Sequence, residues 1–244
     1  MGSVNSPSNF VYTPEELDSI AAIYEDASPR LALVPAKLRL QSWQYLEVKR
    51  GIDIVGSTLM IATCLVPGIL IAAAVALTSR GSIFYHEERV GKGGRPFRIW
   101  KFRSMLKTIE HMRSDAMPHF EVHSRWRTRK DIYDPRITPV GRFLRRWSLD
   151  ELPQLFNVLR GDMSLVGPRP VVEAELPLYE HLLDFYLSAT PGLSGLWQVS
   201  GRSDVSFSKR AKLDASYVRS WSLQRDLIIL ARTIPAVLRR VGAR

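Results

Sequence analysis

Trp147-Ser148-Leu149-Asp150-Glu151-Leu152-Pro153-Gln154 places two adjacent carboxylates directly before a predicted helix. Pro153 suits the first helical position, because the amide proton that proline lacks would have no partner there. Gly161 ends this helix, whose apolar face is predicted from helical spacing to be Leu152, Leu155, Phe156 and Leu159. Asp150 and Glu151 therefore lie at the N-terminal mouth of a helix, where the free amides and the dipole favour anions. A carboxylate pair at this place can hold Mg²⁺, and the amides can hold a phosphate.

The same residues also have a purely structural interpretation. Ser148, followed by Glu151 three residues later, matches a capping box. Pro153 argues against it, because in that register it would take the fifth helical position and lose a hydrogen bond. The residues alone leave catalysis and capping as alternatives.

Composition narrows the classes of partner. The 244 residues suffice for one large domain or two small ones, and the net charge of +10 indicates an anionic partner. Nucleic acid, an acidic membrane surface and a phosphorylated substrate all meet that description. Cys64 is the single cysteine, which excludes an internal disulfide and a cysteine-rich zinc site.

A long apolar segment predicts membrane insertion. Residues 54–79 contain no charged side chain, and roughly 26 helical residues would extend ~39 Å, enough for a hydrocarbon core of ~30 Å. Pro67-Gly68 breaks the segment near its middle, and both flanks are basic. Since basic flanks prefer the cytoplasm, a re-entrant hairpin of two half-helices broken at Pro67 satisfies both. A proline-kinked spanning helix is the alternative.

Several cations are candidates for phosphate contacts. Two short strands, residues 82–90 and 97–105, are predicted around a glycine-rich turn, and strand alternation puts Lys101 and Arg103 on one face. Arg169 is locked between Pro168 and Pro170, which suits a bidentate phosphate clamp. A solvated basic face and a rigid surface bend are the respective structural alternatives. Arg202 ends a second glycine-rich loop.

The C-terminal helix is predicted to begin after Ser222 and to lie on anionic lipid. Its apolar residues and a set of arginines lie on opposite sides of the helix. The alternative is an ordinary surface helix whose apolar side packs on a protein core. The apolar set is Leu227, Ile228, Leu230, Ile234, Val237 and Leu238, and the arginines are Arg225, Arg232, Arg239 and Arg240.

Taken in order, the motifs resemble the bacterial sugar transferase family of monotopic polyprenyl-phosphate phosphoglycosyl transferases. The resemblance covers the chain from about Lys49 to the C-terminus. The motifs are Lys49-Arg50 before the proline-broken segment, Lys101-Phe102-Arg103-Ser104-Met105, Asp134-Pro135-Arg136, Ser148 to Gln154, Gly161 to Pro170, and Gly195-Leu196-Trp197-Gln198-Val199.

The resemblance implies an α+β, helix-dominated, membrane-associated (monotopic) fold. Its parts are a re-entrant N-terminal membrane helix broken at Pro67, a small β-hairpin and interfacial amphipathic helices. We expect an N-terminal extension over residues 1–45, partly disordered with one short helix. The re-entrant helix follows over 46–80 and a cytoplasmic catalytic domain over 81–244. Lys49, Arg50 and Pro67 match the positions that anchor the helix in the membrane.

The implied reaction moves a hexose-1-phosphate from a UDP-sugar to undecaprenyl phosphate and releases UMP. Asp150 is the implied nucleophile of a ping-pong mechanism through a phosphosugar-aspartyl enzyme, and Glu151 with Asp150 is expected to bind Mg²⁺ (or Mn²⁺). The expected substrate-binding residues are Lys101, Arg103, Pro168, Arg169, Pro170 and Arg202. We expect the catalytic domain on the cytoplasmic face of the bacterial inner membrane, contacts with membrane lipid, and no nucleic-acid partner. Homo-oligomer formation is left open.

Two other classes of protein compete with this interpretation. One is a non-catalytic membrane-anchored scaffold, and the other is an anionic-lipid or nucleic-acid binding module. The scaffold predicts that Asp150 and Glu151 are both dispensable, and the binding module predicts salt-sensitive binding that does not depend on Asp150. The sequence does not determine which sugar is transferred or which polymer results.

Overall fold

The computed structural model describes residue 42 and residues 44–106, 136–200 and 206–238. The predicted disordered arm and short helix within residues 1–41 lie outside these residues, as does Arg202. The motif Asp134-Pro135 lies outside them as well.

The apolar segment folds as two helices. A π-helical turn, Gln44–Lys49, leads into α1 (Arg50–Thr63), and α2 (Leu65–Thr78) follows after one residue. No helix in the described ranges is long and apolar enough to cross a membrane by itself. The stretches Glu47–Thr63 and Leu65–Thr78 pass that test of length and composition together, and they are bent by 62° at their junction.

The break in this segment lies at Cys64, three residues before the predicted position at Pro67. Pro67 occupies the first turn of α2, where its missing amide proton costs no helical hydrogen bond. A proline ring clashes with the carbonyl four residues earlier, which here belongs to Thr63, the last residue of α1. The proline therefore accounts for the break, but the helix ends on its N-terminal side.

The predicted hairpin is confirmed. β1 (Phe84–Val90) pairs antiparallel with β2 (Pro96–Phe102) over their whole length. Gly93 and Gly94 in the turn have φ of 69° and 78°, a region that favours glycine.

The rest of the described chain is mostly helical, which confirms a helix-dominated fold with a small hairpin. A parallel pair joins β3 (Ser164–Val166) to β4 (Gly192–Ser194), with Ser164 opposite Gly192 and Val166 opposite Ser194. Short 3₁₀ segments lie at Leu149–Glu151 and Glu173–Leu182. The elements are α3 (Pro139–Arg146), α4 (Gln154–Arg160), β3 (Ser164–Val166), α5 (Leu183–Ser188), β4 (Gly192–Ser194), α6 (Leu196–Val199), α7 (Phe207–Arg219) and α8 (Leu223–Leu238).

Two hydrophobic clusters hold these elements together. The larger one includes Val158 of α4, Val166 of β3 and Val218 of α7, all buried. The smaller cluster joins Val75 of α2, Phe102 of β2 and Leu144 of α3. The smaller cluster thus connects the apolar helix pair to the hairpin and to the helix that precedes Asp150.

The predicted apolar face of α4 is wrong by about one position. Phe156 and Leu159 are 45% and 38% exposed, whereas Val158 is fully buried. The buried amide of Asn157 explains the rotation: its Oδ1 accepts from the Trp100 amide at 3.0 Å and its Nδ2 donates to the Arg98 carbonyl at 2.8 Å. A polar side chain that bonds an otherwise unpaired strand edge therefore outweighs apolar spacing.

The Ser222 hydroxyl accepts from the Arg225 amide, which confirms the predicted cap of α8. None of the six predicted apolar-face residues is buried in the protein: Leu230 and Val237 are half-buried, and the buried apolar residue of α8 is Ile229. The other four of the six are exposed by 41–64%: Leu227, Ile228, Ile234 and Leu238. An exposed apolar stripe is what an interfacial helix requires.

Candidate functional site

The turn that carries Asp150 and Glu151 points Asp150 into the protein. The two carboxylates lie in the 3₁₀ turn Leu149–Glu151, between α3 and α4. Ser148 has a φ of 55°, a left-handed conformation that reverses the chain after α3. Asp150 is 9% exposed, and Glu151 is half-buried.

The capping alternative for these residues is wrong. The Ser148 side chain makes no capping hydrogen bond, because the left-handed backbone does not present it to the amides that follow. Pro153 is the residue that immediately precedes α4.

Two cations offset the charge of the carboxylate pair. Lys101 Nζ lies 2.9 Å from Glu151 Oε1, with both side chains partly exposed. Burial raises the pKa of Asp150, and the charge of Glu151 raises it further, while Lys101 and Arg145 act in the opposite direction. Asp150 is therefore a poorly solvated carboxyl group held between one anion and two cations.

Arg145 was not singled out from the sequence. Its Nε donates to Ser104 Oγ at 2.8 Å, which fixes the side chain at the end of α3. It belongs to a basic segment with Arg142 and Arg146, both of which are exposed. Helical spacing alone does not say which of the three faces the carboxylates, since that depends on the left-handed turn at Ser148.

Arg103 and Lys101 have different partners: Lys101 binds Glu151, and Arg103 binds Ser79. β2 ends at Phe102, and Arg103 turns back to α2, where its Nη2 donates to the Ser79 carbonyl at 2.7 Å and to Ser79 Oγ at 2.9 Å. Its Nε and Nη1 are buried, and neither has a hydrogen-bond partner among the described residues. The guanidinium thus ties the end of the apolar helix pair to the hairpin.

A second cluster of cations surrounds Trp197. The Arg169 Cζ lies 5.3 Å from the centroid of the Trp197 ring, and the Arg210 Cζ lies 5.2 Å from it. Both distances suit cation–π contacts. Burial lowers the pKa of Arg210, and the nearby charge of Arg169 lowers it further. Two like charges held at one ring suit an anionic ligand, which would offset their repulsion.

The prolines beside Arg169 hold this cluster in place. Pro168 and Pro170 are both buried. The Pro168 carbonyl accepts from the Gly192 amide at 2.7 Å, and the Pro170 carbonyl accepts from Arg89 Nη1 at 3.4 Å. The structure therefore places the bend around Arg169 within the protein, against β4 and β1.

Arg210 was also missed by sequence reasoning. It lies on α7, three residues after Phe207, and its Cζ is 4.4 Å from the centroid of that ring. An aromatic residue and an arginine at this helical spacing were the only signal available.

Asp214 lies behind the second cluster and is fully buried. Tyr179 OH donates to its Oδ2 at 2.9 Å. Burial raises the pKa of Asp214 to about 7, against the opposing effects of the Tyr179 hydroxyl and the Arg210 charge. In the folded protein this carboxyl group is therefore protonated over much of the range in which an ordinary aspartate is ionised.

We expect Asp214 to make folding stability fall as the pH rises from about 4 to about 7. Between the ordinary value of 3.8 and the folded value of about 7, the folded chain binds more protons than the unfolded chain. Stability then falls with rising pH by up to about 1.4 kcal/mol per unit. Asp214→Asn should remove this dependence, which thermal unfolding in detergent at several pH values will measure. Asp184→Asn, at an exposed position, is the control. Equal pH profiles for wild type and Asp214→Asn would contradict the assignment.

Lys49 and Arg50 bind the start of α1 to the rest of the domain. Lys49 Nζ lies 2.6 Å from Asp226 Oδ2 of α8. Arg50 donates to the carbonyls of Val158 and Leu159 at 2.6 and 2.7 Å, at the C-terminal end of α4. Cations are favourable at that end of a helix. The predicted role of this pair at the membrane interface stays a prediction.

Comparisons with known proteins agree on one group. A family model described as bacterial sugar transferase matches residues 44–240, a range that includes both clusters. The UDP-galactose-lipid carrier transferase of Erwinia amylovora is 48% identical over 201 residues, which cover 80% of this chain and 41% of that protein. The exopolysaccharide production protein ExoY of Rhizobium meliloti is 46% identical over 191 residues, 78% of this chain and 84% of that protein.

The name of a third relative specifies glucose instead of galactose. The UDP-glucose:undecaprenyl-phosphate glucose-1-phosphate transferase of Caulobacter vibrioides is 41% identical over 198 residues, 78% of this chain and 69% of that protein. The chain thus spans about two fifths of the length of the Erwinia relative and more than two thirds of the other two.

Proposed function

This chain belongs to the bacterial sugar transferase family, and from that premise we propose that it moves a hexose-1-phosphate from a UDP-sugar to undecaprenyl phosphate. UMP is released as the other product. The observation that carries the proposal is the buried Asp150, which lies beside Glu151 and between the charges of Lys101 and Arg145. The reaction would take place on the cytoplasmic face of the bacterial inner membrane, as an early step of exopolysaccharide or related glycan assembly.

The proposed chemistry begins with the Asp150 carboxylate. One of its oxygens attacks the sugar-bearing phosphorus, the bridging P–O bond breaks, and UMP leaves with the electron pair. In the second step an oxygen of the polyprenyl phosphate attacks the same phosphorus and releases the carboxylate. Neither step requires a general base when Asp150 is ionised, because a carboxylate and a phosphate are both anionic nucleophiles. The charges of Lys101 and Arg145 favour the ionised form of Asp150.

The cations around Asp150 suit this chemistry. A carboxylate that attacks a diphosphate must overcome repulsion between like charges, and fixed cations at a poorly solvated site reduce that repulsion. Lys101 and Arg145 are held in place by Glu151 and Ser104 respectively. In the proposed complex these side chains face the phosphate that is transferred, and Arg169 with Arg210 is available to the rest of the donor nucleotide.

The carboxylate pair has the donor set for a divalent ion carried by the substrate. Within residues 44–106, 136–200 and 206–238, no group of three or more His, Cys, Asp or Glu side chains is placed to hold a metal ion. Mg²⁺ usually binds one or two carboxylates together with substrate phosphates, so Glu151 and Asp150 are sufficient protein ligands. When bound, Mg²⁺ (or Mn²⁺) would neutralise charge on the diphosphate.

The proposed function is tested by measuring UMP release. The purified protein is given undecaprenyl phosphate, Mg²⁺ and a panel of UDP-hexoses that includes UDP-galactose and UDP-glucose. We expect UMP from at least one donor, together with a polyprenyl-diphosphate-sugar. The absence of UMP with every donor would favour the scaffold alternative.

Removal of metal ions should abolish UMP release, and Mg²⁺ should restore it. Glu151→Gln should raise the Mg²⁺ concentration needed for half-maximal rate by at least ~10-fold, because a neutral amide is a weaker ligand for a hard cation. Glu173→Gln, at an exposed position, is the control and should need as much Mg²⁺ as the wild type. Unchanged UMP release in excess chelator would exclude the proposed metal site.

A further inference from the structure

The Asn157 side chain holds one edge of β2. It lies on α4 and is 1% exposed. Its Oδ1 accepts from the Trp100 amide at 3.0 Å, and its Nδ2 donates to the Arg98 carbonyl at 2.8 Å. β1 pairs with the other edge of this strand, to which the backbone groups of the alternate residues point. One side-chain amide therefore binds two backbone groups that fix where β2 lies against α4.

The hydrogen-bonding groups of this amide are all in use. Nδ2 of Asn157 also lies 3.3 Å from Asp162 Oδ2, so its two donors and its acceptor each have a partner. Burial of an amide costs free energy unless its groups are paired. The next residue of α4 is Val158, which packs in the larger hydrophobic cluster. The hydrogen bonds to β2 therefore account for a polar side chain among the buried residues of this helix.

Lys101 directly follows Trp100 in β2 and reaches the carboxylate pair. Its Nζ lies 2.9 Å from Glu151 Oε1, and the two side chains are 20% and 32% exposed. An ion pair with this exposure holds a long, flexible lysine only weakly. The position of Lys101 therefore depends on its backbone, which Asn157 binds at the preceding residue. Since Glu151 lies in the turn shortly before α4, the helix and this turn contact β2 at both places.

We propose that Asn157 is a positioning residue for Lys101: by fixing β2 against α4, it places the Lys101 ammonium at the carboxylate pair. The inference rests on the proposed function, in which Lys101 offsets the charges of the attacking carboxylate and the phosphate. A cation contributes fully to such a step only when it is already in place, because an error of about 1 Å can cost ~100-fold in rate. Asn157 touches no reacting atom in this proposal and acts only through Lys101.

The first test follows the position of Lys101 without any turnover. Its amine is acylated with a limiting reagent and quantified by peptide mass spectrometry, with Lys92 in the turn of the same hairpin as the internal reference. We expect Asn157→Leu to raise the labelling rate of Lys101 relative to Lys92 by at least ~3-fold, since a released side chain is more exposed to the reagent. Val158→Ala removes packing at the next, fully buried position and should leave this ratio unchanged. A wild-type ratio in Asn157→Leu would overturn the proposal.

A double-variant cycle is the second test, with rates taken below the unfolding midpoint of every variant. Asn157→Leu and Lys101→Met should each lower the single-turnover rate of UMP release by at least ~10-fold. The double variant should be within about two-fold of Lys101→Met alone, because both changes remove the same contribution. Val158→Ala should stay within about two-fold of the wild type. Losses that multiply in the double variant would mean that Asn157 acts independently of Lys101, which overturns the proposal.

A milder variant keeps the test available if Asn157→Leu does not fold. Asn157→Asp has a side chain of the same size and keeps an acceptor for the Trp100 amide. It should change the labelling ratio and the rate in the same directions as Asn157→Leu, by smaller factors. A wild-type protein that forms no UMP with any donor would refute the proposed function, whereas the labelling ratio would still decide whether Asn157 positions Lys101.

Discussion

Asp150→Asn should lower the rate of UMP release by at least ~1,000-fold, with or without acceptor. The amide is neutral and poorly nucleophilic, so a mechanism that depends on attack by this side chain has no substitute for it. The change preserves the size of the side chain, and because Asp150 is buried beside Glu151, loss of its charge should not destabilise the turn. The measurement is the initial rate of UMP formation with a saturating UDP-sugar.

Two controls accompany this variant. Asp184→Asn makes the same chemical change at an exposed position of α5 and should keep the wild-type rate. The unfolding temperature of Asp150→Asn should equal or exceed that of the wild type. A loss of only a few-fold would exclude Asp150 as the nucleophile and leave it at most a metal ligand.

Asp226→Ala should destabilise the protein by about 3–5 kcal/mol, the usual cost of breaking a buried ion pair by removing one member. Asp226 accepts from Lys49 Nζ at 2.6 Å, from Tyr217 OH at 2.8 Å and from Trp221 Nε1 at 3.1 Å. The side chains of Lys49 and Asp226 are 5% and 6% exposed. The alanine variant leaves three buried donors without this acceptor, one of which is charged. Thermal unfolding in detergent should show a midpoint lower by roughly 10 °C.

A double variant separates the buried charge from the loss of packing. Lys49→Met with Asp226→Leu removes both charges and should recover at least half of the stability lost in Asp226→Ala. Asp184→Ala at its exposed position should shift the midpoint by less than about 2 °C. A small effect of Asp226→Ala would mean that the helix pair is held to α8 by apolar contacts instead.

Local features of the fold could be predicted because their causes are local. The hairpin follows from two strand patterns around a turn whose Gly93 and Gly94 adopt positive φ. Gly161 ends α4 with a φ of 96°, as its position after the apolar run predicts. Pro67 predicts a break in the apolar segment. The break lies at Cys64 because the proline ring clashes with the carbonyl four residues earlier, that of Thr63.

The candidate site could be predicted only in part. Asp150, Glu151, Lys101 and Arg169 were named from motifs, yet the structure divides them between two clusters. Arg145 and Arg210 are placed by tertiary packing: the first by the turn at Ser148, the second by the approach of α7 to Trp197. Strand alternation predicts Arg103 on the same face as Lys101 only if the strand continues past residue 102. β2 ends at Phe102, so the alternation does not apply to Arg103.

Three cations link the apolar helix pair to the rest of the molecule. Lys49 and Arg50 hold the start of α1, and Arg103 holds Ser79 at the end of α2. Arg103 directly precedes Ser104, which binds Arg145. In the proposed function this arrangement fixes the position of Asp150 relative to a lipid surface, where one substrate would arrive through the membrane and the other through water.

The central claim is that Asp150 carries the sugar-phosphate between the two steps. The most direct measurement is the mass of the intact protein after incubation with the active UDP-sugar and Mg²⁺ without polyprenyl phosphate, followed by fragmentation of the peptide that contains residues 147–154. We predict a mass increase of one hexose phosphate, located on Asp150, together with an equal amount of UMP. UMP that forms only when acceptor is present, with no adduct trapped at any time, would contradict the claim and indicate direct transfer between the two substrates.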